Sequence, residues 1–127
     1  MSESAREEIQ RINREFSARF ARGDHEGVAA LYTEDARFLS PGRGVARGRE
    51  EIREVFAAYA AAGVTDFHFE TLEVDDHGDV VVELARSTAS MGSSGQVQEF
   101  LYCIVWHRDA DGELRLHWDV VSASQVR

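Results

Sequence analysis

Apolar positions along this chain change their period near Gly63. Before it, Ile9, Ile12, Phe16 and Phe20 recur at helical intervals behind Ser4-x-x-Glu7, which has capping-box spacing. This predicts a first helix from about Ser4 to Arg22, ended by Gly23. Asp24 is placed to cap a short second helix carrying Val28, Leu31 and Tyr32. Asp35 to Ser40 reads as a strand, stopped by Pro41-Gly42, and residues 42–48 read as a glycine-rich loop. A third helix is predicted from about Arg49 to Ala62, with Ile52, Val55, Phe56 and Tyr59 on one side.

After Gly63 the pattern alternates. Phe67 to Val74, Val80 to Ser90, Gln96 to Arg108 and Leu114 to Ser122 read as four strands. Asp109-Ala110-Asp111-Gly112 is the clearest hairpin turn. Three helices followed by a meander predict an α+β domain, its helices packed on one face of a curved antiparallel sheet. The 127 residues suit a single domain with one real core. No repeat or low-complexity segment interrupts it.

The last strand carries the sharpest candidate chemistry. Strict alternation puts Leu114, Leu116, Trp118 and Val120 on one face and Arg115, His117, Asp119 and Val121 on the other. One reading is an apolar face on the core or a partner, with the polar face in water. Asp119 and His117 share that polar face; for such a pair burial raises the carboxyl pKa, and a neighbouring imidazolium lowers it.

Composition narrows the function classes. A net charge of −9 without a basic stripe argues against nucleic acid. No apolar run nears the roughly 20 residues that cross a bilayer, and the charged N-terminus lacks a secretory h-region. The single cysteine, Cys103, has no partner for an internal disulfide and is expected as a buried, inert thiol; a cytoplasmic location follows as an expectation. The histidines show no paired ligand spacing, so no metal is expected.

The run Phe16-x-x-x-Phe20-x-x-Gly23-Asp24, Leu31-Tyr32, Asp35-Ala36-x-Phe38, Pro41-Gly42 and Gly48-Arg49-Glu50-x-Ile52 carries a resemblance. Its order is similar to the cone-shaped α+β superfamily of nuclear transport factor 2, the ketosteroid isomerases and the SnoaL-like polyketide cyclases. Leu116-His117-Trp118-Asp119-Val120-Val121 resembles the closing strand of SnoaL-like cyclases, where the aspartate is the candidate acid/base. The resemblance implies a cone enclosing one apolar pocket, with Asp119 and His117 together on its wall, and a homodimer paired through the outer sheet face. It implies no cofactor. The fold itself does not supply the chemistry.

Against ketosteroid isomerases the chain departs at three positions. Ser40 stands where an aspartate base would precede the proline, Phe16 where a helix tyrosine would stand, and Ile104 near a neutral aspartic acid. Steroid isomerisation by that route is therefore not expected. Asp119 and His117 are the catalytic candidates. Phe16, Phe20, Tyr32, Phe38, Ser40, Tyr59, Tyr102, Ile104, Trp106 and Val121 are the candidates for the pocket. For Phe16, Phe20 and Phe38 plain core packing is the competing reading. A buried tyrosine hydroxyl or indole N–H needs a partner, supplied by a ligand carbonyl or by the backbone. Two functions stay open: acid/base chemistry on a small, largely apolar carbonyl compound, or a ligand-holding or association module without catalysis.

Overall fold

A computed structural model describes residues 3–122, so Met1 and Ser2 of the charged N-terminus lie outside it. The elements are α1 (Ala5–Ala21), α2 (His25–Ala29), β1 (Tyr32–Ser40), β2 (Gly44–Arg47), α3 (Gly48–Ala61), β3 (Val64–Asp76), β4 (Val80–Met91), β5 (Val97–Arg108) and β6 (Leu114–Val121). The capping box forms as its spacing predicts: Ser4 Oγ accepts from the Glu7 N–H, and the Glu7 carboxylate accepts from the Ser4 N–H. Asp24 caps α2 by accepting from the Gly27 N–H at 2.9 Å. Between them Gly23 takes φ 79°, a left-handed conformation that glycine adopts without steric cost.

The six strands form one sheet in the order β2-β1-β6-β5-β4-β3. It is mixed, because β1 and β6 run parallel while the other pairs are antiparallel. Three boundaries also differ from the sequence reading. Tyr32 opens β1 instead of closing α2. Four residues of the predicted glycine-rich loop form β2, an antiparallel partner of β1. The third strand extends to Val64 and Asp76.

Ile9, Ile12, Phe16 and Phe20 of α1 are buried against the concave face of the sheet, with Ile52 and Phe56 of α3. Each such side chain contributes roughly 1.5–3 kcal/mol by leaving water. Along β4 the inward positions are Val81, Glu83, Ala85, Ser87 and Ala89, all buried. The last three are small. Where they face the helices the core leaves a void, and the site lies there.

One irregularity decides what the last strand presents to that void. Val105 pairs with Trp118 while Trp106 pairs with Leu116, so His117 is an extra residue, a β-bulge. The bulge reverses the alternation. Leu114 and Leu116 are buried inward, Trp118 and Val120 are exposed outward, and Asp119 is buried inward. The predicted four-residue apolar face is thus split between the two sides of the sheet, and His117 does not share a face with Asp119. Cys103 also differs from expectation and is exposed. Its neighbours Tyr102 and Ile104 face inward, so period-two alternation turns the thiol out.

Candidate functional site

A cavity of about 260 Å³ lies between the helices and the concave face of the sheet. Phe16, Phe38, Phe56, Phe67, Phe69 and Phe100 stand in its wall, and Asp119 is its only carboxylate among the described residues. Aromatic edges meet faces around it: Phe16 stands at 79° to Phe56 with centroids 5.2 Å apart, and Phe38 stacks on Phe56 at 5.3 Å.

Asp119 is 3% exposed. Its Oδ2 accepts a 2.6 Å hydrogen bond from the Tyr32 hydroxyl, while Oδ1 is buried with no partner among the described residues. A carboxylate left this way carries most of its desolvation cost uncompensated. Burial pushes its pKa from 3.8 up to about 7. The Tyr32 hydrogen bond opposes that rise, and the charge of Glu83 adds to it. Tyr32 is itself fully buried, and burial together with the Asp119 charge holds its phenol in the neutral form, well above its ordinary pKa. The Arg49 guanidinium donates to the Tyr32 carbonyl at 2.9 Å and ties the start of β1 to α3. The resulting unit is a nearly neutral-poised acid with one free oxygen, on an apolar wall. Such a group exchanges protons with carbon acids efficiently near neutral pH.

Two further polar units stand on the inward face. Ser87 Oγ donates to the Tyr102 hydroxyl at 2.8 Å, and Tyr102 lines the cavity. Burial raises the Tyr102 phenol pKa and the Asp119 charge raises it further, while the Ser87 hydrogen bond opposes this. Glu83 is fully buried behind them, accepting from Thr71 Oγ1 at 2.7 Å and from Trp106 Nε1 at 3.0 Å. Burial raises its pKa against those hydrogen bonds. Glu83, Ile104 and Asp119 are paired in one row across β4, β5 and β6. The two buried acids are thus two strands apart, with the Ile104 strand between them.

The family profile of the SnoaL-like domain matches residues 13–117. The chain belongs to the SnoaL-like domain family. The match takes in Tyr32 and Tyr102 and stops two residues before Asp119. Solved structures agree on the fold. A ketosteroid isomerase-like protein from Erwinia carotovora atroseptica shares 24% identity over 94% of both chains, with a TM-score of 0.74. A nuclear-transport-factor-2-like protein with a cystatin-like fold from Novosphingobium aromaticivorans shares 20% identity over 91% of this chain and 79% of its own, with a TM-score of 0.79. A putative calcium/calmodulin dependent protein kinase II association domain from Xanthomonas campestris shares 21% over 95% and 89%, with a TM-score of 0.76. No functionally curated protein matches the chain in sequence.

Within this SnoaL-like domain the structure sorts the candidate residues. Phe16, Phe38, Tyr59, Tyr102, Ile104, Asp119 and Val121 line the cavity. Phe20 packs at 4.7 Å from Phe67 in the core, Ser40 is buried without lining the cavity, and Trp106 is occupied with Glu83. Tyr32 reaches the site through Asp119. His117 stands elsewhere: its ring stacks on His107 with centroids 3.8 Å apart, and its Nδ1 lies 2.8 Å from Thr33 Oγ1. Its pKa is lowered, by burial first and then by His107. The bulge is the physical reason for its separation from Asp119.

Sequence reasoning passed over Glu83, Ser87 and Asn13. The first two had a readable sign, since both occupy the inward phase of an alternating strand where the neighbours are Val81, Ala85 and Ala89. Arg86 lies in the opposite phase and pairs with Glu70 at 3.2 Å.

Proposed function

We propose that this SnoaL-like domain binds a small, largely apolar carbonyl compound in its aromatic cavity and moves a proton on it, with Asp119 as the proton carrier. The observation that supports this most is the buried Asp119 Oδ1 on the cavity wall, without a partner among the described residues, in a carboxyl whose pKa is raised to about 7. The ionised carboxylate takes a proton from the carbon beside the carbonyl, and the resulting acid returns it to the same or another carbon. Isomerisation, aldol-type cyclisation and hydration all draw on such a positioned proton carrier. No cofactor enters this reading. Tyr32 fixes the carboxyl orientation through Oδ2 and leaves Oδ1 for the substrate.

Incubation of the protein in D₂O with small aryl ketones tests this reading. Wild type exchanges their α-hydrogens, read by proton NMR, and Asp119→Asn lowers the rate by at least 10²-fold. Exchange at the same rate in both proteins refutes the proton-carrier role and leaves a ligand-holding domain.

A second role, association, has its own support. Leu39, Val45, Leu84, Leu101, Trp118 and Val120 are exposed on the outer face of the sheet. Val45, Leu39, Val120, Cys103 and Leu84 are register partners in one row across five strands. An exposed apolar sheet face of that extent suits a second copy of the chain. We therefore propose a homodimer formed through this face, with or without catalysis in the cavity. A cytoplasmic location fits the single, exposed Cys103 thiol.

A further inference from the structure

We infer that the Tyr102 hydroxyl, backed by Ser87, is the group that binds negative charge developing on the ligand oxygen opposite Asp119. This inference rests on the reading of the cavity as an acid/base site and adds the second half of its machinery. Removing a proton from carbon leaves an electron pair that moves into the carbonyl, and the oxygen then carries the charge. A cavity walled by phenylalanines gives that charge no solvent, so a preorganised donor is required.

Tyr102 is the donor the geometry supplies. It is the register partner of Val121, and Ile104, two residues on, is the partner of Asp119. Tyr102 is therefore the diagonal neighbour of Asp119, and both line the cavity, which lies between their functional ends. Its oxygen already accepts from Ser87 Oγ, so its own proton has no acceptor among the described residues and is free to turn into the cavity. An accepted hydrogen bond strengthens the phenol as a donor. Ser87 is 1% exposed and fixed on the inward row of β4, which makes it a positioning residue for the phenol. The other hydroxyls are committed differently. Tyr32 donates to Asp119 Oδ2, and the Tyr59 hydroxyl is hydrogen-bonded with Ser40.

The step balances within these residues. The α-carbon–hydrogen bond breaks, its proton bonds to Asp119 Oδ1, and the electron pair forms an enolate whose oxygen accepts from the Tyr102 O–H. Reprotonation from Asp119 at carbon restores the carbonyl, and the Ser87-to-Tyr102 hydrogen bond persists throughout.

Binding of 4-nitrophenol tests the inference, because its ionised form mimics the enolate and absorbs in the visible. Asp119→Asn serves as background, since the amide stands in for the protonated acid and removes its charge. In this protein the bound phenol should ionise at lower pH than in water. Adding Tyr102→Phe should raise that midpoint by about one to two pH units, a 10- to 100-fold fall in the preference for the ionised over the neutral form. Ser87→Ala should lower the same preference by roughly two- to fivefold. The ratio compares two forms of one molecule in one protein, so general damage to the cavity cancels. Should Tyr102→Phe not bind nitrophenol, Ser87→Ala keeps the phenol ring and decides the question by the same ratio. An unchanged midpoint, no phenolate preference in the parent, or a change that follows Tyr59→Phe instead overturns the inference. Nitrophenolate binding through Tyr102 without ketone exchange by Asp119 would remove the proton-carrier reading and leave this anion site standing. Exchange by Asp119 with an unchanged midpoint would remove only this inference.

Discussion

Asp119→Asn should make the protein more stable above neutral pH. The carboxyl pKa rises from its ordinary 3.8 to about 7, chiefly because burial penalises the charge. The folded protein therefore keeps a proton that the unfolded chain releases between about pH 4 and pH 7. The sign follows from linkage: stability from this group is fully present below about pH 4 and is lost as pH climbs through 7. At about 1.4 kcal/mol per pKa unit, the loss amounts to about 4 kcal/mol. That is a large share of the 5–15 kcal/mol that holds an ordinary domain folded. Asparagine has nearly the same shape and still accepts from Tyr32, but it cannot ionise. Its stability should therefore not fall across that window on account of residue 119. Below pH 4 the variant should match wild type or lose about 1 kcal/mol through its altered hydrogen bonds. At pH 8 it should exceed wild type by about 2–4 kcal/mol. The repulsion between Asp119 and Glu83 is part of that difference, because the variant removes it. Urea unfolding at fixed protein concentration, followed by tryptophan fluorescence from pH 4 to pH 8, measures it. A difference flat with pH, or one in which wild type gains on the variant as pH rises, would refute the account of Asp119.

Tyr32→Phe removes the one hydrogen bond that favours the Asp119 charge, so the carboxyl should titrate higher than about 7 in carbon-detected NMR and the fold should lose about 1–3 kcal/mol. Glu83→Gln removes a like charge from the same sheet row, and the Asp119 titration should move to lower pH in that spectrum; no movement would mean the two acids are not coupled. Trp118→Glu puts a charge at the centre of the outer apolar face, and light scattering should show the dimer giving way to monomer while the cavity still binds nitrophenol.

The helices were legible because each of their signs is local. The Ser4–Glu7 capping box, Gly23 at φ 79° and the Asp24 cap each act within four residues, and the sequence spells them out. Strand existence was legible from alternation, and so was the Asp109–Gly112 hairpin, where the Gly112 N–H donates to the Asp109 carbonyl at 2.9 Å. β2 was hidden because Gly44-Val45-Ala46-Arg47 is short and glycine-bounded, and only the β1 edge beside it makes it a strand. Asp119 was legible as a candidate, from alternation and from the closing-strand resemblance. Its partner was not. Tyr32 lies 87 residues away in sequence and meets Asp119 because β1 runs parallel to β6, a pairing that no turn motif announces.

The bulge at His117 shows why face assignments fail where they matter most. With perfect alternation from Leu116, Trp118 would point inward and position 119 outward, and Leu116 and Asp119 could not both face the cavity. One inserted residue satisfies both. It also relieves a conflict in the strand. Leu114 and Leu116 pack beneath the helices, whereas Trp118 and Val120 stand on the outer apolar face, and no period-two pattern meets both demands. The extra residue is His117, whose ring is held outside by His107 and Thr33. The strand thus gives up regular pairing at the point where it turns a carboxylate into an apolar cavity. Bulges are found where a side chain must be re-aimed next to an active site. Sequence periodicity reads the regular part of a strand, and the candidate proton carrier here follows its break.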